Sequence, residues 1–148
     1  MIPDYGVRMK RAKCHTEILA GINENGMKLT PQRRTIVEIL TRDYSHPSAQ
    51  TVFQAARNSH PKISLSTVYA TLHSLKSLKL IRELDFESMD NRYDMNTKHH
   101  LHLICNRCGR IDDVADYALV IPKDIEKNTG FKADDYRFEL YGLCNRCN

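Results

Sequence analysis

Four of the five cysteines in this sequence form two C-x-x-C pairs, Cys105 with Cys108 and Cys144 with Cys147. Each pair places two thiolates on one tight turn, and two pairs together complete the four-sulfur shell of a tetrahedral zinc ion. Residues 109–143 separate the pairs, which is more than the usual spacing, so a small subdomain must lie between them. A reduced redox pair and plain buried thiols are the alternatives. The repeated Cys-Asn-Arg-Cys sequence favours one structural zinc ion per chain, bound by these four cysteines.

Histidines form a second cluster, at His99, His100 and His102. Residues two apart on a strand share a face, so His100 and His102 point the same way and make a bidentate metal site. Asp94 lies shortly before the cluster, and Asp113 follows the first cysteine pair. A mixture of imidazole and carboxylate suits iron(II), manganese(II) or zinc and leaves an open coordination position. Surface histidines without a metal are the alternative.

The composition narrows the class of protein. The chain has 148 residues, of which 41% are hydrophobic, as expected for a globular protein of one medium domain or two small ones. No apolar run has the length that spans a bilayer, and the first residues lack the apolar segment of a secretory signal. We therefore expect a cytoplasmic protein with no membrane partner. We also expect the remaining cysteine, Cys14, to be a buried thiol. The net charge of +4 is a mild indication of a polyanionic partner.

Apolar residues at helical spacing predict four helices in the first part of the chain. The predicted helices begin at about Lys13, at Thr30-Pro31, at Pro47-Ser48 and at Ser64 or Ser66. Residues 81–86 and 92–95 then predict two strands around a turn. Three short helices, a longer helix and a β-hairpin follow one another in the order of a winged helix-turn-helix domain.

The fourth predicted helix has the composition of a DNA recognition helix. Its buried face contains Val68, Leu72 and Leu75. Its outer face has small or polar side chains that can enter a major groove, namely Ser66, Thr67, Tyr69, Ala70, His73 and Lys76. Arg33 and Arg34, near the start of the second helix, suit phosphate contacts. An ordinary helical bundle with a solvated face is the alternative.

The rest of the chain predicts a small α+β unit. Residues 101–105 and 110–114 read as strands joined by the first cysteine turn, residues 122–128 as a helix that ends before Gly130, and residues 135–143 as an alternating strand. A unit of this size has a small core, so a zinc ion would add the stability that the core lacks.

Taken together, these segments resemble the ferric-uptake-regulator family of dimeric, metal-dependent repressors. The matching segments are LTPQRRTIVEIL, HPSAQTVF, ISLSTVYATLHSL, NRYDM, HHLHLICNRCGRIDD and YRFELYGLCNRC. The resemblance implies an α+β fold, with a winged-helix DNA-binding domain at residues 1–92 and a small α/β, zinc-stapled dimerisation domain at residues 93–148. It also implies a homodimer that binds double-stranded operator DNA.

Within the family, the pattern is most similar to the peroxide-sensing regulators. That similarity implies a regulatory metal site, occupied by one Fe²⁺ or Mn²⁺ per subunit. Its implied ligands are His46, Asp94, His100, His102 and Asp113. Oxidation by peroxide at the iron is implied for His46 or His100, which would release the DNA. Relatives that sense iron more often have glutamate at the last ligand position, so Asp113 favours peroxide sensing.

The sequence departs from the family in two places. Relatives with a further metal site have an aspartate between the two H-x-H histidines, where this chain has Leu101, and a histidine near residue 135, where it has none. We therefore predict no further site. Ala70 stands where relatives commonly have a larger polar residue, so the operator sequence does not follow from the resemblance.

The alternatives are an iron- or zinc-uptake regulator of the same family and, from another class, a non-haem iron enzyme that uses His100, His102 and a carboxylate. The enzyme would leave the winged helix without a role, so we predict a regulator.

Overall fold

The computed structural model of the protein describes residues 14–114 and 124–148. Among these residues one compact unit ends at Thr97, and a second begins at Lys98. We call them the helical unit and the sheet unit. The predicted boundary after residue 92 lies slightly earlier. The difference arises because residues 92–94 pair with residues 82–84 and so belong with the helices.

The helical unit contains four helices and a β-hairpin. Its elements are α1 (His15–Glu24), α2 (Pro31–Arg42), α3 (Ala49–Ala56), α4 (Leu65–Ser77), β1 (Arg82–Leu84) and β2 (Arg92–Asp94). Hydroxyl side chains cap three of the helices, because Thr30, Ser48 and Ser64 each accept a hydrogen bond from a backbone N–H of the first turn. The predicted order of helices and hairpin is confirmed, and the cap of α4 is Ser64.

The core of the helical unit lies between the helices. Its fully buried side chains include Ile18, Ile22, Ile36, Leu40, Val52, Val68, Leu72 and Leu75. The strands are shorter than predicted, since the side chain of Asn91 accepts the N–H of Phe86 at 3.3 Å in place of a cross-strand carbonyl. Cys14 is half-buried rather than buried, because it forms the N-cap of α1, where its N–H donates to Glu17 Oε2 at 2.6 Å.

The sheet unit contains a three-stranded sheet and a short helix. Its elements are β3 (Leu101–Cys105), β4 (Ile111–Val114), α5 (Asp124–Thr129) and β5 (Phe138–Gly142). Strand β3 is central, antiparallel to β4 and parallel to β5. The first residues of the predicted helix at 122–128 lie outside the described residues. Strand β5 begins later than predicted, because Tyr136 stacks on the ring of His99, and Asp135 binds the N–H of Tyr136.

Candidate metal centres

The four predicted zinc ligands come together in the sheet unit. Cys105 ends β3, and Cys108 follows on the turn to β4. Cys144 and Cys147 lie on the turn after β5, which is parallel to β3, so that both turns lie at the same end of the sheet. All four sulfur atoms lie within 4.8 Å of one another, and those of Cys108 and Cys144 are 3.7 Å apart. Tetrahedral zinc holds thiolates about 3.8 Å apart, so the cluster fits a zinc ion.

Backbone hydrogen bonds prepare these thiols for a cation. Backbone N–H groups of Cys108 and Cys144 point at the sulfur of Cys105 and lower the pKa of its thiol to about 6. Burial among the other cysteines raises the pKa of Cys147 to about 12. A divalent cation favours the thiolate form of every ligand and would therefore remove this difference. Arg107 joins the two turns, because its guanidinium donates to the carbonyl of Cys147 at 2.9 Å.

The sheet unit also brings together three of the predicted regulatory ligands. Strands β3 and β4 place His102 directly opposite Asp113, and His100 lies one residue before β3. Oδ1 of Asp113 lies 3.3 Å from Nε2 of His100 and 3.6 Å from Nε2 of His102. All three side chains are at most 5% exposed. Ligand atoms of a divalent metal lie about 3 Å apart when each bond is about 2.1 Å, so these three atoms fit a shared ion.

The orientation of His100 supports this fit. Nδ1 of His100 lies 2.8 Å from the carbonyl oxygen of Lys98. A carbonyl only accepts, so Nδ1 carries a proton, and Nε2, which faces Asp113, is the nitrogen that can bind a metal. Histidines that bind metals usually hold their second nitrogen in this way. The neighbouring His99 differs, because its ring stacks on Tyr136 with the ring centroids 3.7 Å apart.

The helical unit holds the other two predicted ligands close to each other. Nε2 of His46 lies 3.9 Å from Oδ1 of Asp94, and both side chains are buried. His46 has a φ of 58°, in the left-handed region that residues with a Cβ rarely adopt. Such a conformation persists only when the surrounding structure fixes it, and it is common at functional sites.

Strand β2 supplies the contacts that fix His46. The guanidinium of Arg92 donates to the carbonyl oxygen of His46 at 3.2 Å, and the N–H of Tyr93 donates to the carbonyl of Pro47 at 3.0 Å. The same strand ends at Asp94, so one short strand positions both ligands. The contact of Arg92 with His46 was not predicted from the sequence. The segment NRYDM contains it, but the spacing of charged residues does not reveal a bond to a backbone carbonyl elsewhere in the chain.

The predicted DNA-contacting residues lie on the exposed face of α4. Ser66, Thr67, Tyr69, Ala70 and His73 are all exposed, whereas Val68, Leu72 and Leu75 are fully buried. The hydroxyls of Ser66 and Thr67 also contact Ser64 at the helix cap, each at 2.8 Å.

The two predicted phosphate contacts on α2 differ from each other. Arg34 is exposed. Arg33 is half-buried, and its guanidinium donates to the carbonyl of Lys28 at 2.6 Å. Arg34 is therefore the better placed of the two to contact a phosphate.

Comparison with known proteins assigns the family. The sequence profile described as the ferric uptake regulator family matches residues 24–141. The chain belongs to this family. Its fold class is the predicted one, an α+β chain with an N-terminal winged helix-turn-helix followed by a C-terminal dimerisation domain. The family is one of transcriptional regulators.

Relatives within the ferric uptake regulator family respond to different signals. The chain is 34% identical over 132 residues to the peroxide-responsive repressor PerR of Staphylococcus epidermidis, and the match covers 88% of each protein. It is similar to the solved structure of the Helicobacter pylori ferric uptake regulator Fur, which has three functional metal-binding sites. That similarity has a TM-score of 0.74 and 27% identity, and it covers 94% of this chain and 97% of the other. A zinc-bound manganese uptake regulator matches with a TM-score of 0.63 and 30% identity, over 86% of this chain and 98% of the other.

Within residues 14–114 and 124–148, no helix has the length and apolar character that a membrane span requires.

Proposed function

We propose that this member of the ferric uptake regulator family is a repressor that senses hydrogen peroxide through its own histidine ligands. The single observation that supports this proposal most is the position of Asp113, whose carboxylate lies within 3.6 Å of both His100 and His102. The resemblance to the family implies that an aspartate at this ligand position favours peroxide sensing. The similarity to the peroxide-responsive repressor of Staphylococcus epidermidis supports the same function.

The regulatory site in this proposal takes ligands from both units. His46 and Asp94 come from the helical unit, and His100, His102 and Asp113 from the sheet unit. One Fe²⁺ or Mn²⁺ that uses all five ligands favours a single arrangement of the two units and so shifts the population toward it. If that arrangement matches both half-sites of an operator, the metal acts as a corepressor. The cysteine cluster would hold one structural Zn²⁺ in each subunit.

An iron(II) ion held by these ligands would supply redox catalysis for the reduction of hydrogen peroxide, in which both electrons come overall from the histidine ring that is oxidised. In the overall change, peroxide gives one oxygen atom to a histidine ring and leaves as water. We assign the oxidised ring to His46 or His100. The ring of His100, with a proton on Nδ1, offers Nε2 as the ligand atom. An oxidised ring binds metal poorly, so the units are no longer held in the DNA-binding arrangement.

Two surfaces support a DNA-binding homodimer. The exposed face of α4 would enter the major groove, with Arg34 on a phosphate. In the sheet unit, four large apolar side chains are 37–58% exposed around β3 and β5, at Leu103, Leu140, Tyr141 and Leu143. A second subunit would cover this apolar surface.

Mass spectrometry of the protein after peroxide treatment tests the proposal. The iron-loaded protein should gain one oxygen atom on a peptide that contains His46 or His100, and it should release its operator. The manganese-loaded protein is the control and should keep both its mass and its operator. Equal behaviour of the two metal forms would contradict peroxide sensing.

The alternative is a regulator of metal uptake that uses the metal only as corepressor. The similarity to the Helicobacter pylori ferric uptake regulator and to the manganese uptake regulator favours it. In that case the iron-loaded protein would keep its operator after stoichiometric peroxide.

A further inference from the structure

A single carboxylate in the helical unit joins the recognition helix to the hairpin. Glu83 lies on β1, directly opposite Tyr93 on β2. Its Oε1 accepts hydrogen bonds from the hydroxyl of Tyr93 at 3.2 Å and from the side-chain amide of Asn91 at 3.0 Å. Its Oε2 accepts the ammonium of Lys76, which lies in the last turn of α4. Glu83 therefore binds one group from the helix, one from the turn and one from β2.

The side chain of Lys76 is 46% exposed, so water partly screens its ion pair, whereas Glu83 is more buried. Its side chain is 15% exposed, so water screens the charge only in part. Burial alone would raise the pKa of Glu83, but the hydrogen bonds from Lys76, Asn91 and Tyr93 outweigh it and lower the pKa below its ordinary value. Tyr93 is itself 4% exposed, and burial together with Glu83 raises its pKa. The carboxylate is thus charged and held on three sides at neutral pH.

The strand that Glu83 contacts is also the strand that positions the regulatory ligands of the helical unit. Tyr93 lies between Arg92, which binds the carbonyl of His46, and Asp94, which faces the ring of His46. If a metal contact at His46 or Asp94 shifts β2, the hydroxyl of Tyr93 moves with the strand. Glu83, which accepts a hydrogen bond from that hydroxyl, would then move as well. Because Lys76 is bound to the same carboxylate, that movement would reach the end of the recognition helix.

We propose that Glu83 is a positioning residue that couples the strand carrying Asp94 to the recognition helix. Its carboxylate transmits the presence of a metal at His46 and Asp94 to the orientation of α4. The inference rests on the proposed metal-dependent DNA binding. It gives the metal a second way to affect DNA binding. This way lies within the helical unit alone and acts in addition to the proposed effect of the metal on the arrangement of the two units.

Measurement of the coupling between manganese(II) and operator DNA tests the role of Glu83. The coupling factor is the ratio of the operator Kd without manganese to the Kd with saturating manganese. Glu83→Gln removes the charge but keeps the shape, and it should lower this factor about five-fold. The manganese affinity of the DNA-free protein should stay within about two-fold, since no ligand has changed. Tyr93→Phe removes only the bond from β2 and should lower the factor by a smaller amount, about two-fold.

Glu87→Gln is the matched control, because it makes the same change of charge on an exposed side chain of the same hairpin. It should behave like the parent protein. Simple destabilisation would reduce the folded fraction mainly in the metal-free protein, because manganese stabilises the folded state, and it would therefore raise the ratio of the two Kd values rather than lower it. A parent protein that binds its operator equally with and without manganese would overturn the proposed function itself. A metal-dependent parent with an unchanged factor in Glu83→Gln would overturn the role of Glu83 alone.

Discussion

The two candidate metal centres are built in different ways. The four cysteines all lie in the sheet unit, on two turns at one end of neighbouring parallel strands. The nitrogen and oxygen ligands that we propose are divided, with His46 and Asp94 in the helical unit and three others in the sheet unit. A centre within one unit can stabilise only that unit. Ligands divided between two units can respond to, and control, how the units are arranged.

The chemistry of the ligands follows the same division. Four thiolates close the shell around zinc and leave no position for a reactant, and zinc has no redox chemistry. Imidazole and carboxylate ligands suit iron(II) or manganese(II) and can leave a position open. The centre in one unit therefore suits a structural role, whereas the divided ligands suit a regulatory role that depends on metal availability.

The largest expected effect is that of Cys144→Ser on the zinc centre. Serine does not ionise at neutral pH and leaves the shell open, so the variant should lose its zinc and dimerise poorly. Zinc content per chain and sedimentation velocity measure the two effects. Cys14→Ser is the control, since Cys14 lies at the cap of α1, and it should keep both zinc and dimer. A Cys144→Ser variant that remains a zinc-bound dimer would show that the structural zinc site is assigned to the wrong residues.

The next largest effect is expected for His100→Ala on the divided ligands. Loss of one ligand should lower manganese affinity by about 100-fold and abolish metal-dependent operator binding, while zinc content stays at one per chain. Titration of manganese and gel shifts with and without metal measure these changes. His99→Ala is the control, because its ring stacks on Tyr136 and its Nε2 lies 3.6 Å from Oδ1 of Asp135. If both variants lose metal-dependent binding equally, the ligand assignment is wrong.

The local geometry at both candidate centres was predictable from the sequence. The C-x-x-C turns and the H-x-H pair depend on spacing of a few residues, which the chain itself determines. The caps at Thr30, Ser48 and Ser64 are local in the same way. The contact between Asp113 and the two histidines was expected from the family resemblance, and the register of β3 with β4 provides it.

The contacts that orient the ligands were not predictable from spacing. The bond from Arg92 to the carbonyl of His46 joins residues far apart in sequence, and it depends on how β2 packs against the loop before α3. The bond of Glu83 to Lys76 likewise depends on the packing of α4 against the hairpin. Strand lengths were overestimated for a related reason, because side chains such as Asn91 compete for backbone N–H groups.

Arg92→Ala tests whether the orientation of His46 matters for the divided ligands. Removal of the guanidinium frees the carbonyl of His46 and should relax its left-handed backbone, so manganese affinity should fall about ten-fold. The affinity is measured without DNA, because the lost charge would also weaken DNA binding. Arg92→Lys retains a donor and should recover part of the affinity. Unchanged manganese binding in Arg92→Ala would mean that other contacts alone hold His46.

The smallest expected effect is that of Asp113→Glu on the response to peroxide. Glutamate keeps the charge and the donor atoms, so metal-dependent operator binding should stay within about three-fold of the parent protein. Its longer side chain approaches from the same position on β4 and so changes access to the open coordination position, and release of the operator after peroxide should be slower. Fluorescence anisotropy of labelled operator, with iron loaded under anaerobic conditions, follows this release. Asp112→Glu is the matched control, because Asp112 instead accepts a hydrogen bond from the guanidinium of Arg110 at 2.8 Å. Release at the parental rate in Asp113→Glu would show that the length of this carboxylate does not affect peroxide sensing. The choice between the peroxide-sensing and the metal-uptake regulator would then lose the observation on which it now depends.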